Sequence, residues 1–172
     1  FPMRVIDEVK SVVKASGKAE FIVGYRFSPE EIETPGIRIE DTLYLVENLV
    51  NKNLDYLHIS VMDVWEKPSM DTSIHKSMTE LVSEKINKRV PLVAVGSVHT
   101  GDEAIHALET KADFVALGRE IIMDPNWIEK IQNEKEDEIT VTISRKPQKE
   151  LVIPDKLFSA MLDTTGWFPF ED

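Results

Sequence analysis

Four short apolar runs recur along the chain: Phe21 to Arg26, Asp55 to Ser60, Pro91 to Gly96 and Ala112 to Gly118. Each is too short for a helix and partly β-branched or aromatic, as buried strands are. Between them the apolar residues switch to helical spacing. Val5, Ile6, Val9, Val12 and Val13 share one helical face, closed by Gly17. Ile39, Leu43, Val46 and Leu49 with Val50 form a second face, and Met78, Leu81, Val82 and Ile86 a third. A helix starting at Thr100 or Gly101 is expected to bury Ala104, Ile105 and Leu108. Strands alternating with helices predict an α/β fold whose sheet is parallel and covered by helices. Function in such folds sits in the loops after the C-terminal strand ends.

After the fourth run, short helices are expected over Glu120 to Met123 and Asn126 to Gln132. The character of the chain then changes. A charged run from Glu134 to Glu138 reads as a solvated loop, and alternating Ile139, Val141 and Ile143 suggest a small edge strand. Leu157, Phe158, Met161 and Leu162 suggest a last amphipathic helix. Gly166-Trp167-Phe168-Pro169-Phe170 is too apolar for a free tail and is expected to pack on this domain or on a neighbouring subunit. Two domains result, 1–132 and a C-terminal extension 133–172.

Composition narrows the function classes. A net charge of −11, with basic residues scattered, argues against nucleic acid as a partner. One anionic group could still be held by a helix N-terminus and an arginine. The absence of cysteine excludes a disulfide framework, Cys-ligated zinc, an iron–sulfur cluster and a thiol nucleophile. Nothing reads as a signal peptide and no apolar run reaches ~18 residues, so no membrane partner and a cytoplasmic location are expected.

Two strand ends carry the clearest chemistry, Val95-Gly96-Ser97 and Leu117-Gly118-Arg119. A small residue there lets backbone N–H groups approach a phosphate, and Arg119 could add a forked contact. The competing reading is that both glycines only make tight turns and Arg119 pairs with a local carboxylate. The histidines make no metal or substrate pair. His58 is expected inside the strand layer, and His75, His99 and His106 in solvent.

Pro91 to Val98, Asp102-Glu103-Ala104, Ala112 to Arg119 and Asp124-Pro125-Asn126-Trp127, in that order, resemble the C-terminal signature of the old yellow enzyme family. Gly24 to Glu30 resembles that family's fifth strand, Asp55 to Ser60 its sixth, and Phe1-Pro2 its fourth helix. The resemblance spans residues 1–132. It implies the C-terminal half of a (β/α)8 TIM barrel, with four parallel strands alternating with helices. The chain is short of the ~250 residues of a whole barrel.

The resemblance also implies roles. FMN would be the cofactor and NAD(P)H the co-substrate. Hydride would pass through FMN to a small electrophilic acceptor such as an activated alkene. Arg26 would face the pyrimidine edge of the flavin, and Gly96, Ser97, Gly118 and Arg119 would cradle its phosphate. Trp65 and Lys67 would lie in a loop near the site mouth. Two positions depart from the pattern: relatives often carry glycine where this chain has Ser97 and Lys111. The substrate-binding histidine pair and tyrosine of the family belong to its first four strands, so no catalytic residue is expected here. The chain is then expected to be inactive alone, and to pair with an N-terminal half-barrel or with itself. The alternatives are a phosphate-binding barrel isomerase or aldolase, and a non-catalytic module that binds a phosphate ligand.

Overall fold

The four apolar runs pair as one parallel sheet in chain order. In this computed structural model, which describes residues 1–18, 20–146 and 149–171, the strands are β1 (Gly24–Phe27), β2 (Tyr56–Ile59), β3 (Leu92–Val95) and β4 (Phe114–Ala116). The register sets Arg26 beside His58, His58 beside Val93, and Val93 beside Phe114. Two aspartates tie the strand entrances together. Asp55 accepts from the Val23 N–H at 2.6 Å, and Asp113 from the Leu92 N–H at 2.8 Å.

The helices are α1 (Pro2–Ala15), α2 (Ile39–Leu49), α3 (Met78–Ile86), α4 (Gly101–Leu108), α5 (Arg119–Met123), α6 (Trp127–Gln132) and α7 (Asp155–Asp163). Local sequence explains where two of them begin. Ser77 and Glu80 exchange side-chain and backbone hydrogen bonds at the start of α3. Thr100 and Glu103 do the same at α4. Each is a capping box that satisfies N–H groups a helix start otherwise leaves free.

The chain divides into two compact units. The first, Phe1–Val98 with Ala104–Ala116, holds the sheet. Residues alternate along each strand between two faces. Leu57, Ile59, Leu92 and Ala94 are buried on one face, and Ile39, Val46, Leu49, Val82 and Ile86 of α2 and α3 complete that core. Each fully buried aliphatic side chain contributes about 1.5–3 kcal/mol. The other face carries Arg26, His58, Val93 and Phe114, and Phe114 is 58% exposed. Gly24 also lies on this face, where the Tyr56 ring occupies the space a side chain would need.

The second unit comprises His99–Glu103 and Leu117–Asp172. Its core is Met123, Ile143, Phe158, Met161 and Phe168, with Phe170 edge-on to Phe158. The apolar end of the chain thus packs within its own unit. Asp124 organises the region after α5. Its carboxylate accepts from Lys130 Nζ at 2.5 Å and from the N–H groups of Thr140 and Asn126. Burial alone would raise its pKa, but Lys130 and the two N–H groups together hold it below the usual carboxylate range.

Four expectations are corrected. Phe21 and Ile22 precede β1 and are 60% and 68% exposed, because the first run reaches past the end of the sheet. The apolar face of α1 buries only Ile6, leaving Val5, Val9 and Val12 exposed. In α4, Ile105 and Leu108 are exposed, and Ala107 is the buried side chain. Ile139, Val141 and Ile143 form no edge strand. Ile143 alone makes a parallel bridge, to Phe170, because Lys130, Asp124 and the 3-10 turn Glu136–Glu138 hold the preceding backbone.

Candidate functional site

Arg26 stands in β1 on the open face of the sheet, with its side chain exposed. Its Nη2 donates to Ser60 Oγ at 2.7 Å. His58, in register with Arg26, is half-buried, and its Nε2 has no partner among the described residues. Burial and, after it, the Arg26 charge hold the His58 pKa below the usual histidine range, so the ring is neutral at neutral pH.

Gly96 and Ser97 follow β3 in the first unit. Gly96 has φ +137, and a Cβ there would lie 2.9 Å from both Asp63 N and Val61 O. The glycine is therefore required by the loop after β2, which it also holds by accepting from the Val64 N–H at 3.2 Å. Ser97 adopts φ 49, the left-handed region that glycine enters without strain. Its hydroxyl donates to Met62 O at 2.9 Å. Lys111, the second departure from the family glycines, has φ 68. Both positions thus have the backbone that favours glycine, which neither substitution has removed.

Gly118 and Arg119 open α5 in the second unit. Gly118 contrasts with Gly96: its φ is −113, and a Cβ would meet nothing within 4 Å. No packing among the described residues requires a glycine there. Arg119 Nη1 donates to Trp167 O at 3.2 Å, so the arginine has a backbone partner and not the local carboxylate of the competing reading. Among the described residues, the Ser97 and Gly118 N–H groups donate no backbone hydrogen bond.

Several roles were not visible in sequence. His99 is not simply solvated: its Nδ1 lies 2.7 Å from Oε1 of the buried Glu120. Both line a cavity of about 210 Å³ in the second unit, with Met123, Trp127 and Val141. His106 is likewise engaged, stacked on Trp65 at 5.0 Å between ring centroids. Trp65 Nε1 is buried without a partner among the described residues, while Lys67 and His75 are exposed. The sequence placed a helix start at Thr100 or Gly101, but neither the Thr100–Glu103 cap nor the pairing of His99 with Glu120 was read from it. No described helix is long and apolar enough to cross a membrane.

The fold defines a class first: a parallel α/β sheet of barrel type. Morphinone reductase in complex with tetrahydroNAD has this fold, with a TM-score of 0.56 and 22% identity over 100% of this chain and 40% of that one. The four strands and their helices thus form half of a (β/α)8 barrel. The family follows. The model of the NADH:flavin oxidoreductase / NADH oxidase family matches residues 1–138, and the chain belongs to that family, whose cofactor is FMN. The probable NADH-dependent flavin oxidoreductase YqiG of Bacillus subtilis (strain 168) is 41% identical over 172 residues, which are 100% of this chain and 46% of that protein. The NADH:acrylate oxidoreductase of Vibrio harveyi is 38% identical over 94% of this chain and 16% of that protein. The chain therefore spans less than half the length of these curated relatives.

Proposed function

We propose that the protein containing this chain takes hydride from NAD(P)H and delivers it to a small electrophilic acceptor, an activated alkene, using FMN. When bound, FMN would supply the redox chemistry of hydride transfer. The residues of this chain bind and orient it. Arg26 would supply a fixed cation to stabilise the negative charge of a reduced flavin. In the second unit the Gly118 N–H and Arg119 would contact the phosphate, and in the first the Ser97 N–H is the candidate donor, with Gly96 shaping the loop that carries it.

The observation that carries the proposal is the open space at Gly118. A glycine that neither packing among the described residues nor a positive φ demands, followed by an arginine, fits a backbone that a ligand approaches. The acceptor class is supported by the Vibrio relative, which is named for acrylate, an activated alkene. Family membership favours this reading over an isomerase, an aldolase or a non-catalytic phosphate-binding module. The reaction also needs residues outside this chain, so we assign the activity to the chain together with the remaining strands of a barrel, from a preceding segment or a second copy. We place it in the cytoplasm, where NAD(P)H is available.

The test is an FMN fluorescence titration of the full-length protein and of this chain, repeated with Gly118→Ala and Arg119→Ala. Saturable quenching, weakened at least about tenfold by each substitution, is expected. The Gly118→Ala protein should unfold within about 1 kcal/mol of the parent. A full-length protein that neither retains nor binds FMN sinks the proposal.

A further inference from the structure

We infer that Ser60 is a positioning residue for Arg26, so that a hydroxyl on β2's C-terminal end tunes the reduction potential of the flavin. The inference rests on the FMN reading above and extends it to a residue that does not itself meet the flavin.

The geometry is built from neighbouring strands. Arg26 in β1 is in register with His58 in β2, and Ser60 follows two residues later on the same face. Ser60 Oγ accepts from Arg26 Nη2 at 2.7 Å. The serine is itself fixed to β1, because its N–H donates to Phe27 O at 2.8 Å. Arg26 is therefore held by a hydroxyl whose backbone is locked to the arginine's own strand.

His58 supplies the rest of the setting. It stands beside Arg26 as a neutral, half-buried ring, with no carboxylate offered from that position. Among the described residues no acidic side chain pairs with Arg26. A carboxylate partner would neutralise the guanidinium and cancel its effect on a reduced ring. A hydroxyl restrains the side chain and leaves its charge intact. One N–H of the fork is taken, and the others remain free to donate. A long, exposed arginine without that restraint would sample several rotamers, and its stabilisation of one fixed charge would fall.

The experiment uses the full-length, FMN-loaded protein. Midpoint potentials are measured by dye equilibration for the parent, Ser60→Ala, Ser60→Thr, Ser60→Val, Arg26→Ala and the Arg26→Ala/Ser60→Ala double variant. Ser60→Ala should weaken stabilisation of reduced over oxidised flavin about tenfold, which is about 30 mV more negative for a two-electron couple. Ser60→Thr should restore the parent value and Ser60→Val should not. This pair differs only in the hydroxyl and gives the same reading if the alanine variant fails to fold. The double variant should match Arg26→Ala alone. An unchanged potential in Ser60→Ala and Ser60→Val, with Arg26→Ala shifted, overturns the positioning role and leaves the FMN reading standing. A shift from Ser60→Ala that persists without Arg26 also overturns it. A parent protein without flavin overturns the reading and the inference together.

Discussion

The two faces of the sheet follow opposite rules. On one face Leu57, Ile59, Leu92 and Ala94 are sealed beneath α2 and α3, and no charged side chain intrudes. On the other, Arg26 is exposed, His58 Nε2 has no partner among the described residues, and Phe114 lies largely in the open. The first face holds the unit together by excluding water. The second gains little from burial and carries the side chains with chemistry. The core and the proposed flavin contact are therefore separated by the strand period of two, and neighbouring residues in one strand answer to different constraints.

Substitutions can break or sharpen that contrast. The largest effect is expected from Ile59→Ala on the sealed face. It should cost about 2–5 kcal/mol in urea unfolding, because a fully buried side chain leaves a cavity. A cost below about 1 kcal/mol would show that this face is not the core. Next, Gly24→Ala should cost about 1–3 kcal/mol, since the new methyl group meets the Tyr56 ring. It tests whether the open face has one packed corner.

A smaller effect is expected from acid. Glu47 on α2 is held down to about 2, chiefly by hydrogen bonds from Arg89 and Lys85, which join α2 to α3 and the turn after it. A depressed folded-state pKa contributes stability that is present above the unfolded value near 4.5 and lost as pH falls toward 2. Urea midpoints for the parent and Glu47→Gln should therefore differ at pH 7 and converge near pH 2. Curves that stay parallel throughout would remove Glu47 from the helix layer's support. The smallest effect is Phe114→Ser, expected within about 0.5 kcal/mol in this chain. A large loss there would mean the face is covered after all.

Much of the sealed face was legible in sequence and less of the open one. Leu57, Ile59, Leu92 and Ala94 fall in runs apolar enough to mark buried strands, and the parallel order followed from the alternation with helices. Phe21 and Ile22 misled because hydrophobicity does not report where a sheet ends. Asp124 was visible only as part of a family signature. Its work depends on Lys130 and Thr140 being brought to it, and no local pattern encodes that. The proposed flavin residues came from resemblance, since a glycine after a strand does not reveal whether backbone or ligand will press against it. At Gly96 the chain's own backbone presses on it, whereas at Gly118 nothing among the described residues does.

That separation bears on how this protein can change over generations. A variant at Gly96 is purged whether or not the ligand matters, because the Asp63 and Val61 backbone leaves it no room. A variant at Gly118 meets nothing among the described residues, so under the proposed function selection there would act on recognition. A lineage that abandoned its ligand would be expected to drift first at Gly118 while keeping Gly96, and the order of loss would record the change.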